Sequence, residues 1–186
     1  EDETAEPVPQ TKRILALALA PAFTTDEHDR DNLIEQRTDA SEPTAQELAA
    51  EEAGAKVHFV SFHPHDYTLD MDDLSNKLSE KTQLVAVGCA SNATGGINPV
   101  KRVAEMAHQV DAKVYLDAVH YGPHGLIDVA DWDCDFLACS DYKFFGPHLG
   151  MLWGRRALLE ELQPFKVRPA DNRLPTRWMT CTQSPD

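Results

Sequence analysis

Residues 114–154, VYLDAVHYGPHGLIDVADWDCDFLACSDYKFFGPHLGMLWG, carry the two polar signals that decide the fold. Asp117 closes one apolar run, and Lys143 follows a second apolar run at 136–139. Short apolar runs of this kind predict buried strands of a parallel sheet that is covered on both faces. Open α/β sheets bind ligands in the crevice at the carboxyl ends of their strands. We therefore expect a carboxylate and an amine to meet in such a crevice.

The order of polar residues in this stretch resembles that of a known family. His120 follows Asp117 by three residues, and Ser140 precedes Lys143 by three, with Gly146-Pro147 shortly after. This order resembles the pyridoxal-phosphate enzymes of the class V aminotransferase and cysteine desulfurase family, and it is most similar to the cysteine desulfurase-like branch. The resemblance implies an α/β three-layer sandwich with a mostly parallel sheet, the large domain of the aspartate aminotransferase-like fold. Without the resemblance, one Asp and one Lys are typical of a salt bridge and a surface lysine.

The chemistry of this family gives both signals a role. A lysine amine forms a Schiff base with a carbonyl, and a carboxylate beside a pyridine nitrogen keeps that nitrogen protonated. The resemblance therefore implies pyridoxal phosphate as cofactor, Lys143 as catalytic Schiff-base residue and proton shuttle, and Asp117 as the partner of the pyridinium. It also implies that Asn92 and His120 contact the ring oxygen. From the residues alone, Asn92 also suits a plain turn and His120 a structural position in a loop.

Two residues beside the lysine are candidates for the phosphate end of the cofactor. The family uses a hydroxyl at the position of Ser140 to hold the phosphate, and relatives have His or Tyr at the position of Tyr142. Asp141 lies between them, and its carboxylate would repel a phosphate if it pointed inward. We expect the Asp141 side chain to face away from the cofactor.

The resemblance adds one candidate near each end of the chain. It implies that His28 stacks on the cofactor ring, although the acidic segment 26–32 is equally typical of a solvated loop. It implies that Thr182 reaches the phosphate of a partner subunit. Cys181 stands where relatives have Gly, and its Cβ would crowd a close approach of backbone to phosphate.

Composition limits the class of protein. The chain has 186 residues, enough for one domain with a sizeable core. Acidic residues exceed basic residues by 31 − 17 = 14, which disfavours nucleic acid and anionic membranes as partners. The apolar run at 14–20 is too short to span a bilayer. Four cysteines without a C-x-x-C motif suit a reducing cytoplasm, and the scattered histidines predict no metal site.

Hydrophobic periodicity predicts strands and helices in alternation, as in a sheet built from βαβ units. The predicted strands are 14–20, 57–62, 82–90, 114–116, 136–139 and, in antiparallel orientation, 150–154. The predicted helices are 44–53, 70–78, 99–110 and 156–162. We divide the chain into an acidic disordered tail at 1–12, a cofactor-binding domain at 13–165, and an extended segment at 166–186 towards a dimer partner.

Three functions are compatible with these patterns. The first is the core of a pyridoxal-phosphate enzyme that acts on a small amino-acid substrate as a homodimer. The second is a non-catalytic binding or dimerisation module, because members of the resembled family are longer at both ends and supply a substrate-binding arginine and a persulfide-forming cysteine there. The third, a nucleotide-binding domain, is disfavoured because no glycine-rich phosphate motif follows a predicted strand.

Overall fold

Strands at the centre of the molecule form one open sheet. The computed structural model describes residues 12–17, 55–164 and 171–179. Within these ranges the sheet has six strands in the order β2-β1-β3-β4-β5-β6. Their bounds are β1 Lys12–Leu17, β2 Ala55–Val60, β3 Thr82–Gly88, β4 Lys113–Asp117, β5 Phe136–Ser140 and β6 Gly150–Gly154.

Strand direction confirms the expected fold class. The neighbours from β2 to β5 all run parallel, and β6 alone is antiparallel to its neighbour β5. Parallel neighbours need long crossover connections, and the connections described between β2 and β3, β3 and β4, and β4 and β5 each contain a helix. The sheet is therefore a mostly parallel α/β sheet, with its carboxyl ends gathered at one edge.

Helices cover the sheet between the strands. The α-helices are α1 Met71–Lys77, α2 Val100–His108, α3 Val129–Trp132 and α4 Arg156–Glu161. Short 3-10 helices follow at Asp141–Phe144 and Thr176–Trp178. α1 begins at Asp70, whose carboxylate accepts a hydrogen bond from the Asp73 amide at 2.9 Å, as helix-capping residues do. Asp70 is thus the N-cap residue that marks the start of this helix in the sequence.

The core lies between α2 and the central strands. Val103 and Ala107 of α2 are fully buried against Val85 of β3 and Leu116 of β4, which are also fully buried. Burial of such a side chain contributes roughly 1.5–3 kcal/mol to folding. The apolar face of α2 therefore fixes this helix over the strands that end at Gly88 and Asp117.

An ion network closes the opposite, amino-terminal edge of the sheet. The Asp135 side chain is only 6% exposed, and its Oδ2 accepts a hydrogen bond from the Val114 amide at 2.8 Å. The same oxygen lies 3.0 Å from His108 Nε2, and Oδ1 lies 3.2 Å from Arg155 Nε. Asp133 contacts His108 Nδ1 at 3.3 Å and also contacts Arg155. We call these four side chains, His108, Asp133, Asp135 and Arg155, the amino-edge cluster.

The segment 171–179 packs against the end of α4. Arg177 donates hydrogen bonds to the carbonyls of Glu160 at 3.1 Å and Leu162 at 2.8 Å. Trp178 Nε1 donates to the Leu159 carbonyl at 3.0 Å. An arginine at these positions satisfies carbonyls that the last turn of a helix leaves without partners. Extension of 166–186 towards a partner subunit stays a prediction.

Most predicted elements are confirmed to within two residues. The antiparallel strand at 150–154 is confirmed, and the predicted strand at 57–62 begins two residues earlier, at Ala55. The tail up to residue 11 and the predicted helix at 44–53 lie outside the described residues. The division of the chain at residues 12 and 165 stays a prediction. In the part of the chain that the structure describes, no helix has the length and apolarity needed to cross a membrane.

Candidate functional site

The candidate site lies where β3, β4 and β5 end. Gly88 is in register with Asp117, and Asp117 with Ala138, so these carboxyl ends are neighbours. The Cys89 amide donates to the Asp117 carbonyl at 2.7 Å, and the Ala118 amide donates to the Ala138 carbonyl at 2.8 Å. Backbone pairing therefore continues to the point where the chain leaves the sheet. It holds the three loops beside one another.

Asp117 brings a carboxylate to this edge. The residue is half-buried, and its Oδ1 accepts a hydrogen bond from the Val119 amide at 2.9 Å. Its negative charge acts on nearby groups: burial first, and Asp117 second, raise the pKa of the Tyr115 phenol. A carboxylate that accepts only one hydrogen bond from the described residues keeps acceptor capacity for a ligand.

His120 lies close enough to both predicted signals for their charges to affect it. Burial lowers the pKa of the His120 imidazole below 6.5, the positive charge of Lys143 lowers it further, and Asp117 raises it. The first two effects exceed the third. The neutral ring, with one donor and one acceptor nitrogen, is therefore the favoured form at neutral pH.

Lys143 is half-buried on the 3-10 helix Asp141–Phe144, one turn beyond β5. Its Nζ lies 5.4 Å from the ring centroid of Tyr142. The Tyr142 ring in turn stacks on His148, with centroids 5.3 Å apart and an interplanar angle of 18°. An ammonium this close to an aromatic ring is within the range of cation–π attraction. His148 was not among the predicted site residues, because no sequence spacing points to this stack.

A glycine permits the loop after β4 to approach the lysine helix. A Cβ placed on Gly122 would lie 3.1 Å from two ring carbons of Phe144, which is tighter than most real contacts. The Gly122 amide also donates to the Ala118 carbonyl at 2.8 Å. Glycine therefore allows the His120 loop to lie against Phe144 of the Lys143 helix without displacing its ring. Sequence reasoning missed Gly122, since its neighbour in space is 22 positions away.

Ser140 and Asp141 form the junction between β5 and the lysine helix. Ser140 is the N-cap residue of this helix, but its hydroxyl makes no capping hydrogen bond. Asp141 Oδ1 is buried and has no hydrogen-bond partner among the described residues. A buried carboxylate oxygen without a donor is destabilising. The expectation that Asp141 faces away from a phosphate stays a prediction.

Asn92 lies on the exposed turn that follows β3. Within this turn the Ser91 amide donates to the Gly96 carbonyl at 2.9 Å, and Gly95 has a positive φ of 73°. Asn92 therefore lies in a turn, as its residue type alone also suggested, and it is exposed to solvent. His28 and Thr182, with Cys181 beside it, lie outside the described residues.

A cavity of about 410 Å³ lies next to this edge, between the start of α2 and the loop after β4. Cys89, Asn98, Tyr121 and Trp132 are among its lining residues, whereas Asp117, His120 and Lys143 are not. The titratable groups thus converge beside the cavity and not inside it. We place the candidate site at those groups because they carry the chemistry.

The described cysteines are not suited to nucleophilic chemistry. Cys89, Cys134 and Cys139 are free and buried. Burial raises the pKa of the Cys89 thiol to about 12 and that of Cys134 to about 11, and it also raises that of Cys139. The reactive thiolate is therefore suppressed at neutral pH. Their expected role as core residues is confirmed.

The donor set at the edge fits the ring end of pyridoxal phosphate better than its phosphate end. Asp117 retains acceptor capacity for a pyridinium, and Lys143 offers a primary amine. A neutral His120 can exchange a hydrogen bond with a ring oxygen. At the phosphate end, the described residues supply the Ser140 hydroxyl, which makes no capping hydrogen bond, next to the acidic Asp141.

Comparison with known proteins identifies relatives over most of the chain. The family model for Aminotransferase class-V matches residues 14–171. A probable cysteine desulfurase from Halalkalibacterium halodurans is 40% identical over 116 residues, which cover 62% of this chain and 28% of the relative.

Solved structures give the same result. The cysteine desulfurase CsdA from Escherichia coli superposes with a TM-score of 0.63 at 27% identity, covering 83% of this chain and 34% of that one. The apo cysteine desulfurase from Thermococcus onnurineus NA1 gives a TM-score of 0.65 at 26% identity, covering 93% and 42%. The chain spans about 30% of the length of the curated relatives it matches.

Proposed function

Because the chain belongs to the class-V aminotransferase family, we propose that it is the cofactor-binding core of a pyridoxal-phosphate enzyme of the cysteine desulfurase kind. One observation carries the proposal. A carboxylate, a neutral imidazole and a lysine amine lie at the ends of two adjacent parallel strands. They are close enough for the charges of Lys143 and Asp117 to shift the pKa of His120. This is the donor set that a pyridine ring, its oxygen and its aldehyde require.

The ring end of the site would be held by three side chains. Bound pyridoxal phosphate supplies an electron-withdrawing pyridinium ring. Asp117 would accept a hydrogen bond from the protonated ring nitrogen and so keep the proton there. His120 and Asn92 would contact the ring oxygen, where the neutral state of His120 avoids a second positive charge beside Lys143.

Lys143 has the Schiff-base role in this proposal. Its amine must lose a proton before it can act as a nucleophile, and it then serves as the group that moves a proton to and from the substrate. The Tyr142 ring, 5.4 Å from Nζ, lies within cation–π range of the protonated amine. Ser140 would bind the phosphate, with Thr182 of a partner subunit and the ring-stacking His28 completing the site.

The substrate in this proposal is an amino acid, with cysteine favoured by the names of the relatives. A homodimer is supported by the apolar surface beside the lysine helix, where Phe145 is fully exposed. Exposed aromatic surface of this kind marks contact sites between proteins. We place the protein in the cytoplasm, since three described cysteines are free.

A second candidate is a non-catalytic module of the same fold. The observation that favours it is the burial of the described cysteines, which do not provide a desulfurase nucleophile. In this case the protein would keep the fold and the dimer surface of the family but would not catalyse a reaction.

Trapping of the cofactor separates the two candidates. Purified chain is mixed with pyridoxal phosphate, its visible absorbance is recorded, and the mixture is reduced with borohydride and mapped by peptide mass. We expect one pyridoxyl adduct at Lys143 that is absent from Lys143→Ala and weaker in Asp117→Ala. Lys101→Ala is the matched control, since Lys101 is an exposed lysine paired with Asp131. Equal labelling of Lys101 and Lys143, or no adduct, would contradict the enzyme proposal.

A further inference from the structure

The turn that carries Asn92 is closed by Asn98. The side-chain Nδ2 of Asn98 donates to the Gly88 carbonyl at 2.8 Å, and its backbone amide donates to the Cys89 carbonyl at 3.0 Å. The Asn98 carbonyl accepts from the Val100 amide at 2.8 Å. One residue thus joins the end of β3, the turn and the start of α2.

The turn has its own internal hydrogen bonds. Ser91 Oγ accepts from the Ala93 amide at 3.3 Å and from the Thr94 amide at 3.2 Å. The Ser91 carbonyl accepts from the Gly95 amide at 3.0 Å. These bonds fix the shape of the turn. Because their donors and acceptors all lie within the turn, they do not fix its orientation relative to the sheet. Its orientation on the sheet depends on the residues at its base.

The base of the turn is tied to Asp117. The Cys89 amide donates to the Asp117 carbonyl at 2.7 Å, while the Cys89 carbonyl accepts from the Asn98 amide. Cys89 is therefore held from β4 on one side and from Asn98 on the other. These contacts link the base of the Asn92 turn to the backbone carbonyl of Asp117, the residue that carries the carboxylate.

We propose that Asn98 is a positioning residue that fixes the Asn92 turn relative to Asp117. It touches no reacting group itself and acts through the backbone of Gly88 and Cys89. The contact of Asn92 with the cofactor rests on the proposed function, whereas the fixing of the turn does not. The alternative role for Asn98 is to support the start of α2 only.

Amide hydrogen exchange tests the turn without any cofactor. In Asn98→Ala we expect the turn amides of Ala93, Thr94 and Gly95 to exchange about fivefold faster, the size expected for loss of one neutral hydrogen bond. Asn98→Asp, which keeps the shape but loses the donor, should do the same. Amides in the middle of α2 should be unchanged. Unchanged turn amides, or equal acceleration along α2, would overturn the proposal.

Cofactor binding tests the consequence. Asn98→Ala and Asn92→Ala should both weaken the binding of pyridoxal phosphate in an absorbance titration, by about fivefold. Only Asn98→Ala should also speed exchange in the turn. Faster exchange with wild-type affinity would overturn the positioning role. If the wild-type chain does not bind pyridoxal phosphate, the proposed function fails, and hydrogen exchange alone decides whether Asn98 fixes the turn.

Discussion

The two edges of the sheet use similar residues in opposite ways. At the amino edge, Asp135 is almost fully buried, and its carboxylate meets the Val114 amide, His108 and Arg155. At the carboxyl edge, Asp117 is half-buried and, among the residues that the structure describes, accepts one hydrogen bond, from the Val119 amide. Buried polar groups stabilise the fold when they bond to one another, whereas a ligand site needs polar groups that can still form hydrogen bonds. The difference between the edges therefore supports the proposal of a site at the carboxyl edge without reference to any motif.

The largest expected effect tests the structural edge. Asp135→Ala removes the buried carboxylate that accepts from the Val114 amide and lies against His108 and Arg155, and it should lower the free energy of unfolding by about 3 kcal/mol. Urea denaturation measures this loss. Asp133→Ala is the matched control, because Asp133 contacts the same two side chains but is 63% exposed, and about 0.5–1 kcal/mol is expected there. Equal losses in both variants would show that burial does not distinguish the two carboxylates.

The next prediction tests the ligand edge. Asp117→Ala should lower the free energy of unfolding by about 1 kcal/mol or less, since one part-buried hydrogen bond to the Val119 amide is lost. It should weaken binding of pyridoxal phosphate about tenfold, as removal of a charge-assisted hydrogen bond does. Paired urea denaturation and absorbance titration compare both values with those of Asp135→Ala. If Asp117→Ala proves as destabilising as Asp135→Ala, the contrast between the edges is wrong.

A third prediction concerns the packing that forms the site. Gly122→Ala places a methyl group against the Phe144 ring and should cost about 1–2 kcal/mol of unfolding free energy. Gly150→Ala is the control, because a Cβ there would meet nothing within 4 Å. Phe144→Leu should relieve part of the loss in a double-mutant comparison. A silent Gly122→Ala would mean that the loop and the lysine helix are not in tight contact.

The smallest expected effect depends on pH. The pKa of His120 is lowered in the folded state by burial and Lys143, so the unfolded chain binds the proton more tightly. The His120 contribution to stability is therefore present above the ordinary pKa of 6.5 and is lost as the pH falls through the lower folded value. His120→Gln should flatten the stability curve in this window, measured by urea denaturation between about pH 7 and about pH 5.

Carboxylates lose their contribution in a different pH range, which serves as an internal reference. Lys77 and the Ser61 amide lower the pKa of Asp73 below 3.8, so its stabilising effect is present above 3.8 and disappears at lower pH. The decline below about pH 4 should be the same in wild type and His120→Gln. A change in that lower range only would assign the effect to carboxylates instead of His120.

Local patterns in the sequence predicted the elements well. Uninterrupted apolar runs predicted β4 and β5, and the helix predicted from Asp70 corresponds to α1. These predictions succeed because they depend on residues that are close in the chain. The short helix α3 was missed, since four residues hold too little periodicity to detect. The placement of Asp117 and Lys143 at neighbouring strand ends followed from the parallel sheet that these runs imply.

The sequence by itself determined the fold class, the family and the carboxylate and amine that the proposed function requires. Only the tertiary structure decided which polar groups are satisfied. It showed that Asp135 is enclosed by Val114, His108 and Arg155 and that Gly122 lies against the ring of Phe144. It also showed that Asn98 closes the Asn92 turn. The physical reason is that burial and hydrogen bonding depend on residues far apart in the chain, whereas sequence patterns record only neighbours.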